Sequence, residues 1–112
     1  MNSYTILLQQ KDEQGEPLKL DALSVKKAMV VLRAINHKLR QQILKFIDEK
    51  GQATVTDIYS HLLLEQSVAS QQLSILRKTG FVKTSRKGKF VYYSIHPRKV
   101  QQLQTALQAL LH

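Results

Sequence analysis

QSVASQQLSILRKTG, residues 66–80, is the stretch on which the reading of the whole chain turns. At about 100° per residue, Ala69, Leu73 and Leu76 fall together, with Val68 and Ile75 at one edge. The spacing therefore predicts an amphipathic helix, stopped by Gly80. Ser67, Ser70, Gln71, Ser74, Arg77 and Lys78 form one contiguous arc on the opposite side, and that arc holds no acid. Short hydroxyls let a helix backbone sink into a groove, and Gln can bond two edge atoms of adenine at once. Arg and Lys toward the C-terminal end suit phosphates. This is the chemistry of a recognition helix in the DNA major groove. Ser and Gln are also common on ordinary solvated faces, so the arc needs its context.

The charge distribution supplies it. The 112 residues carry a formal charge of +9, which favours a polyanionic partner, either nucleic acid or an acidic membrane surface. All eight acids lie in the first 65 residues beside nine Lys/Arg, a net +1. Residues 66–112 hold no acid and eight bases, a net +8. A solvated surface has no need of so lopsided a field. The length predicts one domain with a single modest core. Cysteine is absent, which excludes disulfides and thiolate metal ligands. MNSYTILLQQ lacks the basic start of a signal peptide, and the longest apolar run, AMVVLRAI, is far too short for a membrane span. A soluble, cytoplasmic protein without membrane association is expected.

Along the chain, residues 1–20 read as an N-terminal arm: YTILLQ suits a short strand, and KDEQGEPLKL is turn-rich around Gly15 and Pro17. An ordered arm and a frayed tail are both open. Residues 21–112 read as the domain proper. A first helix from Asp21 places Leu23, Ala28, Val31, Leu32 and Ile35 on one face. A second, over about 37–49, buries Leu39, Ile43, Leu44, Phe46 and Ile47 and stops at Gly51. QATV is brief and extended, and Thr56 is the expected N-cap of a third helix over about 57–64, with Asp57 in its first turn. Ile58, Leu62 and Tyr59 are its apolar positions. The helix 66–78 is the fourth.

FVKTSRKGKFVYYSI then gives two β-rich runs around Lys87-Gly88. With that pair as the turn, Arg86 faces Lys89, Thr84 faces Val91 and Val82 faces Tyr93. Val82, Val91, Tyr93 and Ile95 share the core side; Lys83, Phe90 and Tyr92 share the other. Directly opposed like charges destabilise a strand pair, so a tip of Arg86, Lys87 and Lys89 makes best sense against phosphate, although charged tips also deter edge-to-edge aggregation. Pro97 suits the first turn of a last helix with Val100, Leu103, Leu107, Leu110 and Leu111 as its apolar positions. The order α-α-α-α-β-β-α is a mainly α fold with one small hairpin, a winged helix-turn-helix. Gln72 breaks the wheel by falling inside the apolar arc, and the expected role is structural, a bond to the backbone of the turn before the helix.

From about His37 to Ile95 these residues resemble the ArsR/SmtB-type bacterial winged-helix repressors. NHKLRQQIL (36–44) is similar to the family's segment ending Arg-x-x-Ile-Leu. QSVASQQLSILRKTGFV (66–82) resembles its recognition signature, Gln-Ser-x-x-Ser-x-x-Leu-x-x-Leu-x-x-x-Gly-x-Val, and GKFVYYSI (88–95) its second wing strand. The resemblance implies a homodimer joined through the first and last helices and bound to an inverted-repeat operator, usually released by an effector. The apolar stripes holding Leu23 and Val31, and Leu103, Leu107 and Leu110, suit such an interface, though packing on the chain's own core is the alternative for the last helix. The family's turn before the recognition helix carries Gly, then Ser as cap. Here Leu63 and Glu65 stand there, so Ser67 is expected to take over the cap.

Metal-sensing relatives place Cys on the third helix or Asp/His pairs on the last, and neither pattern is present. Asp57 and His61 are four residues apart and could chelate a metal, but the spacing equally fits an ordinary helix-surface pair. No metal site, no cofactor and no catalytic residue is expected, and the effector is not legible. An enzyme would need paired carboxylates or a nucleophile with its base, and none is found. The remaining alternatives to an operator-binding repressor are a winged-helix protein-interaction module and a sequence-indifferent DNA-binding protein.

Overall fold

In a computed structural model, which describes residues 4–112, the chain forms two compact units divided between Arg33 and Ala34. The first begins with a hairpin, β1 (Thr5–Lys11) and β2 (Pro17–Asp21), antiparallel with Ile6 opposite Leu20 and Leu7 opposite Lys19. Its turn is set by Asp12, whose Oδ1 accepts the backbone N–H groups of Gln14 and Glu16, each at 2.9 Å. Of the two readings of residues 1–20, the ordered arm is therefore the one seen from Thr5 onward. Asp21 ends the hairpin and starts α1 (Ala22–Ile35): its carboxylate accepts from Leu23 N–H at 3.1 Å and from the Ser24 hydroxyl at 2.8 Å.

The second unit holds α2 (Lys38–Lys50), α3 (Val55–His61), α4 (Gln66–Lys78), the hairpin β3 (Val82–Lys87) and β4 (Phe90–Ile95), and α5 (Pro97–Leu111). The expected run of four helices, hairpin and helix is thus present, preceded by the additional hairpin β1–β2. The core is built where α2, α3 and α4 meet the base of the second hairpin: Ile43, Ile47, Ile58, Leu73, Leu76 and Phe81 are fully buried. Burying each such side chain contributes about 1.5–3 kcal/mol.

Local chemistry marks each boundary. His37 caps α2, its Nδ1 accepting from Arg40 N–H, and Gly51 ends the helix at φ 84°. The expected N-cap Thr56 is corrected to Thr54. Thr54 Oγ1 accepts from Asp57 N–H at 3.1 Å while Asp57 Oδ2 accepts from Thr54 N–H at 3.0 Å. That reciprocal box requires partners three positions apart, a spacing Thr54 has and Thr56 lacks. Helix α3 is accordingly shifted, running over 55–61 rather than 57–64. At the far end of α4, Gly80 N–H bonds Arg77 C=O and Phe81 N–H bonds Leu76 C=O. These are the two bonds of a Schellman stop, with Gly80 at φ 87°.

The wing turn is also corrected. Lys87 pairs with Phe90, Arg86 with Val91, Thr84 with Tyr93 and Val82 with Ile95, so Gly88-Lys89 is the two-residue loop. Gly88 sits at φ 63° and Lys89 has no positive φ, as in a II′ turn with Gly first. A Lys87-Gly88 loop of the I′ kind would have forced Lys87 itself to a positive φ. Arg86 therefore faces Val91, not Lys89, and like charges do not stand directly opposed at the tip. Moving the turn by one residue moves the pairing by two, so every side chain keeps its expected face.

A candidate DNA interface

Helix α4 is anchored from beneath and bare above. Ala69, Leu73 and Leu76 are each 0% exposed, and Val68 and Ile75 are half-buried. Ser67, Ser70, Gln71, Ser74, Arg77 and Lys78 are all exposed, as the wheel required of a reading face. The supporting helix α3 packs against α4, and α4 packs against β3. The cap of α4 departs from expectation. Glu65 is its N-cap with no side-chain hydrogen bond, and Ser67, already inside the first turn, does not replace it. Leu63, in the turn before it, holds φ 55° with 90% of its surface exposed. It adopts the left-handed geometry that a glycine adopts freely.

Arg86, Lys87 and Lys89 are exposed at the wing tip. Lys87 Nζ donates to Gln52 Oε1 at 3.1 Å and lies 5.5 Å from the centre of the Tyr92 ring. Lys89 Nζ lies 5.6 Å from the centre of the Phe90 ring. The outer side of the wing is thus basic and aromatic, with Phe90 half exposed. The base of the wing is fixed to the start of α3 by two backbone bonds between Ala53 and Tyr93, at 2.7 and 2.9 Å. Lys50 pairs with Asp57 at 3.8 Å, and among the described residues none of the eight cations after Glu65 is engaged with an acid. Cations that no acid neutralises leave a field available to phosphate.

Arg40 entered the sequence reading only as the Arg of Arg-x-x-Ile-Leu, and its role was missed. Only 9% exposed, it is the charged residue of the buried set. Its Nε donates to Ala34 C=O, and its Nη1 donates to Gln72 Oε1 at 2.7 Å. Gln72 is therefore structural, as its wheel position implied, but its partner is this guanidinium and not the backbone of the turn. A signal existed, because Arg40 stands three and seven residues before Ile43 and Ile47, inside the apolar stripe of α2.

Asp57 and His61 line one open pocket with Phe46, Lys50, Thr56 and Ser60, and each is engaged elsewhere. Asp57 is committed to the α3 capping box, and His61 stacks on Phe46 with ring centres 4.3 Å apart. The Thr54 backbone N–H, with lesser help from the Thr54 hydroxyl and Lys50, holds the Asp57 carboxyl below its ordinary value. Of the expected dimer residues, Leu23 and Val31 on α1 are half-buried. On α5, Leu103 and Leu107 are half-buried, whereas Leu110 and Leu111 are 78% and 73% exposed. Leu103 and Leu107 line a groove of about 580 Å³ with Leu44, Phe81 and Val100. No described helix is long and apolar enough to cross a membrane.

Comparison with known proteins places this architecture. The family model for bacterial regulatory proteins of the arsR family matches residues 37–84, from the cap of α2 into β3. The transcriptional activator HlyU of Vibrio cholerae is 33% identical over 101 residues, covering 88% of this chain and 89% of its own. The crystal structure of the transcriptional repressor PagR of Bacillus anthracis superposes with a TM-score of 0.61 at 30% identity, over 76% of this chain and 97% of that one. NolR from Sinorhizobium fredii gives 0.67 at 26% identity, over 92% and 96%. A helix-turn-helix with a basic wing, matched at this identity over nearly the whole of a relative's length, leaves one assignment: the chain belongs to the arsR family of bacterial regulatory proteins.

Proposed function

We propose that the protein acts as a homodimer that grips an inverted-repeat operator and represses transcription there. Membership of the family makes it a DNA-binding transcriptional regulator; the proposal adds the residues, the symmetry and the sign. The reading rests above all on the exposed arc of α4, set over three fully buried anchors and without a single acid after Glu65. In this reading Ser67, Ser70, Gln71 and Ser74 face base edges. Arg77, Lys78 and the wing cations Arg86, Lys87 and Lys89 hold phosphates. Leu23 and Val31 of α1 and Leu103, Leu107 and Leu110 of α5 meet their counterparts in a second copy. The bare leucines at the end of α5 support that assignment, since a lone chain leaves them in water. Two copies related by a two-fold axis would place their recognition helices about one turn of DNA apart, about 34–36 Å.

The test is selection of the purified protein on a randomised duplex pool. The repressor reading expects a two-fold-symmetric site, preferred over random duplex by at least ~10³. An unenriched pool with strong salt-sensitive binding would mean sequence-indifferent coating. An unenriched pool with no duplex binding would mean a protein-interaction module.

A further inference from the structure

We infer that Arg40 is a positioning residue for DNA recognition: through Gln72 it clamps the inner side of α4 to the end of α1 and so fixes the rotation of the reading face. The inference rests on the assignment of α4 as the DNA-reading helix.

Burying a guanidinium is unfavourable unless its donors are satisfied, and an apolar side chain of similar volume would fill the same space without that penalty. What the guanidinium supplies is direction. One arm meets the carbonyl of Ala34, which is 3% exposed and belongs to the last turn of α1, where carbonyls lack a helical partner. The other meets Gln72 Oε1 at 2.7 Å. Because Arg only donates, the carboxamide of Gln72 must present its oxygen, and its NH2 is turned the other way.

The remaining anchors of α4 are Ala69, Leu73 and Leu76, all apolar. Apolar burial is non-directional, so a helix seated on such a seam can roll with little change in buried area. Side-chain tips stand about 6 Å from the helix axis, so a roll of about 10° carries Gln71 about 1 Å sideways. That is twice the roughly 0.5 Å window of a good N–H···O bond. Base-edge bonds from Gln71, Ser70 and Ser74 are broken at such a displacement. Phosphate contacts by long, flexible Arg and Lys side chains follow the movement. The clamp therefore matters for sequence discrimination and little for general DNA affinity.

Gln72→Met removes the acceptor and keeps the side chain's length. The Kd of the full-length protein would be measured for the duplex recovered from the random pool and for scrambled duplex, across a salt series. The expected result is about tenfold weaker binding to the selected site, with scrambled-duplex affinity and salt slope within about twofold of the parent. Arg40→Lys, which keeps the charge but not the fork, should show the same split. Equal losses on both duplexes, or no loss on either, overturn the positioning role. Amide hydrogen exchange of the free protein is the second readout: Gln72→Met should accelerate exchange in α4 more than in α3. If the parent protein itself selects no site, the operator reading fails and the positioning role with it, while exchange still reports whether the clamp holds α4. Unchanged exchange in Gln72→Met overturns the clamp irrespective of DNA.

Discussion

Replacing Leu63 by glycine should stabilise the protein, against the usual direction of a large-to-small change. Leu63 holds φ 55° and is 90% exposed. A left-handed backbone at a non-glycine residue costs about 1–2 kcal/mol, all of which glycine relieves. Against this stands the greater freedom glycine gives the unfolded chain, about 0.5–1 kcal/mol. The apolar burial removed is small, about 0.2 kcal/mol, because only a tenth of the side chain is covered. The balance favours Leu63→Gly by about 0.5 kcal/mol, or roughly 2–3 °C in Tm. Urea unfolding of both proteins at the same concentration provides the assay, read as a higher midpoint at constant m. Leu63→Ala is the control, since it trims the side chain but keeps a Cβ at positive φ; it should give no gain. A lower midpoint for Leu63→Gly would falsify the strain argument and mean that the leucine's packing is worth more than its geometry costs.

Four further variants have expected outcomes. Gln71→Ala should relax preference at one base position per half-site in a repeated selection, whereas Lys87→Ala should weaken binding to all sequences and flatten the salt slope by about 0.9 for each phosphate it ceases to neutralise; an altered preference for Lys87→Ala would overturn the wing assignment. Thr54→Ala should lower stability by about 1 kcal/mol. Asp57 has its folded value depressed, so its contribution is complete above the ordinary carboxylate value of 3.8 and is lost as pH falls through the folded value; Thr54→Ala keeps the backbone N–H that dominates the shift, so the acid-side loss should shrink only slightly. Leu73→Ala, at a site with 0% exposure, should cost about 2–5 kcal/mol by denaturant unfolding.

The wheel over residues 66–78 was legible because burial on a helix follows a single period, and each position it assigned to the inner or outer side is found there. The hairpin faces were legible for a related reason: alternation has a period of two, and an error of one in the turn leaves faces unchanged. What failed was chemistry with several local solutions. Thr54 and Thr56 both precede Asp57, and only the reciprocal geometry of the box selects between them. Ser67 was a plausible cap because Ser often caps, yet the helix begins one residue before it. The role of Arg40 was not legible because its partner Gln72 lies 32 residues further along the chain. The hairpin β1–β2 was left open because two strands alone are marginal in water, and pairing between them is not written in either strand separately.

The distal end of α5 carries a consequence for how the protein must be handled. No residue of that helix is fully buried, and its last two leucines are almost bare. If a second copy covers them, folding and association are one equilibrium, and mass action enters the melting temperature. Dilution alone would then lower Tm and empty the operator together, so that the cell's protein level, with no small molecule at all, becomes a variable the regulator reads.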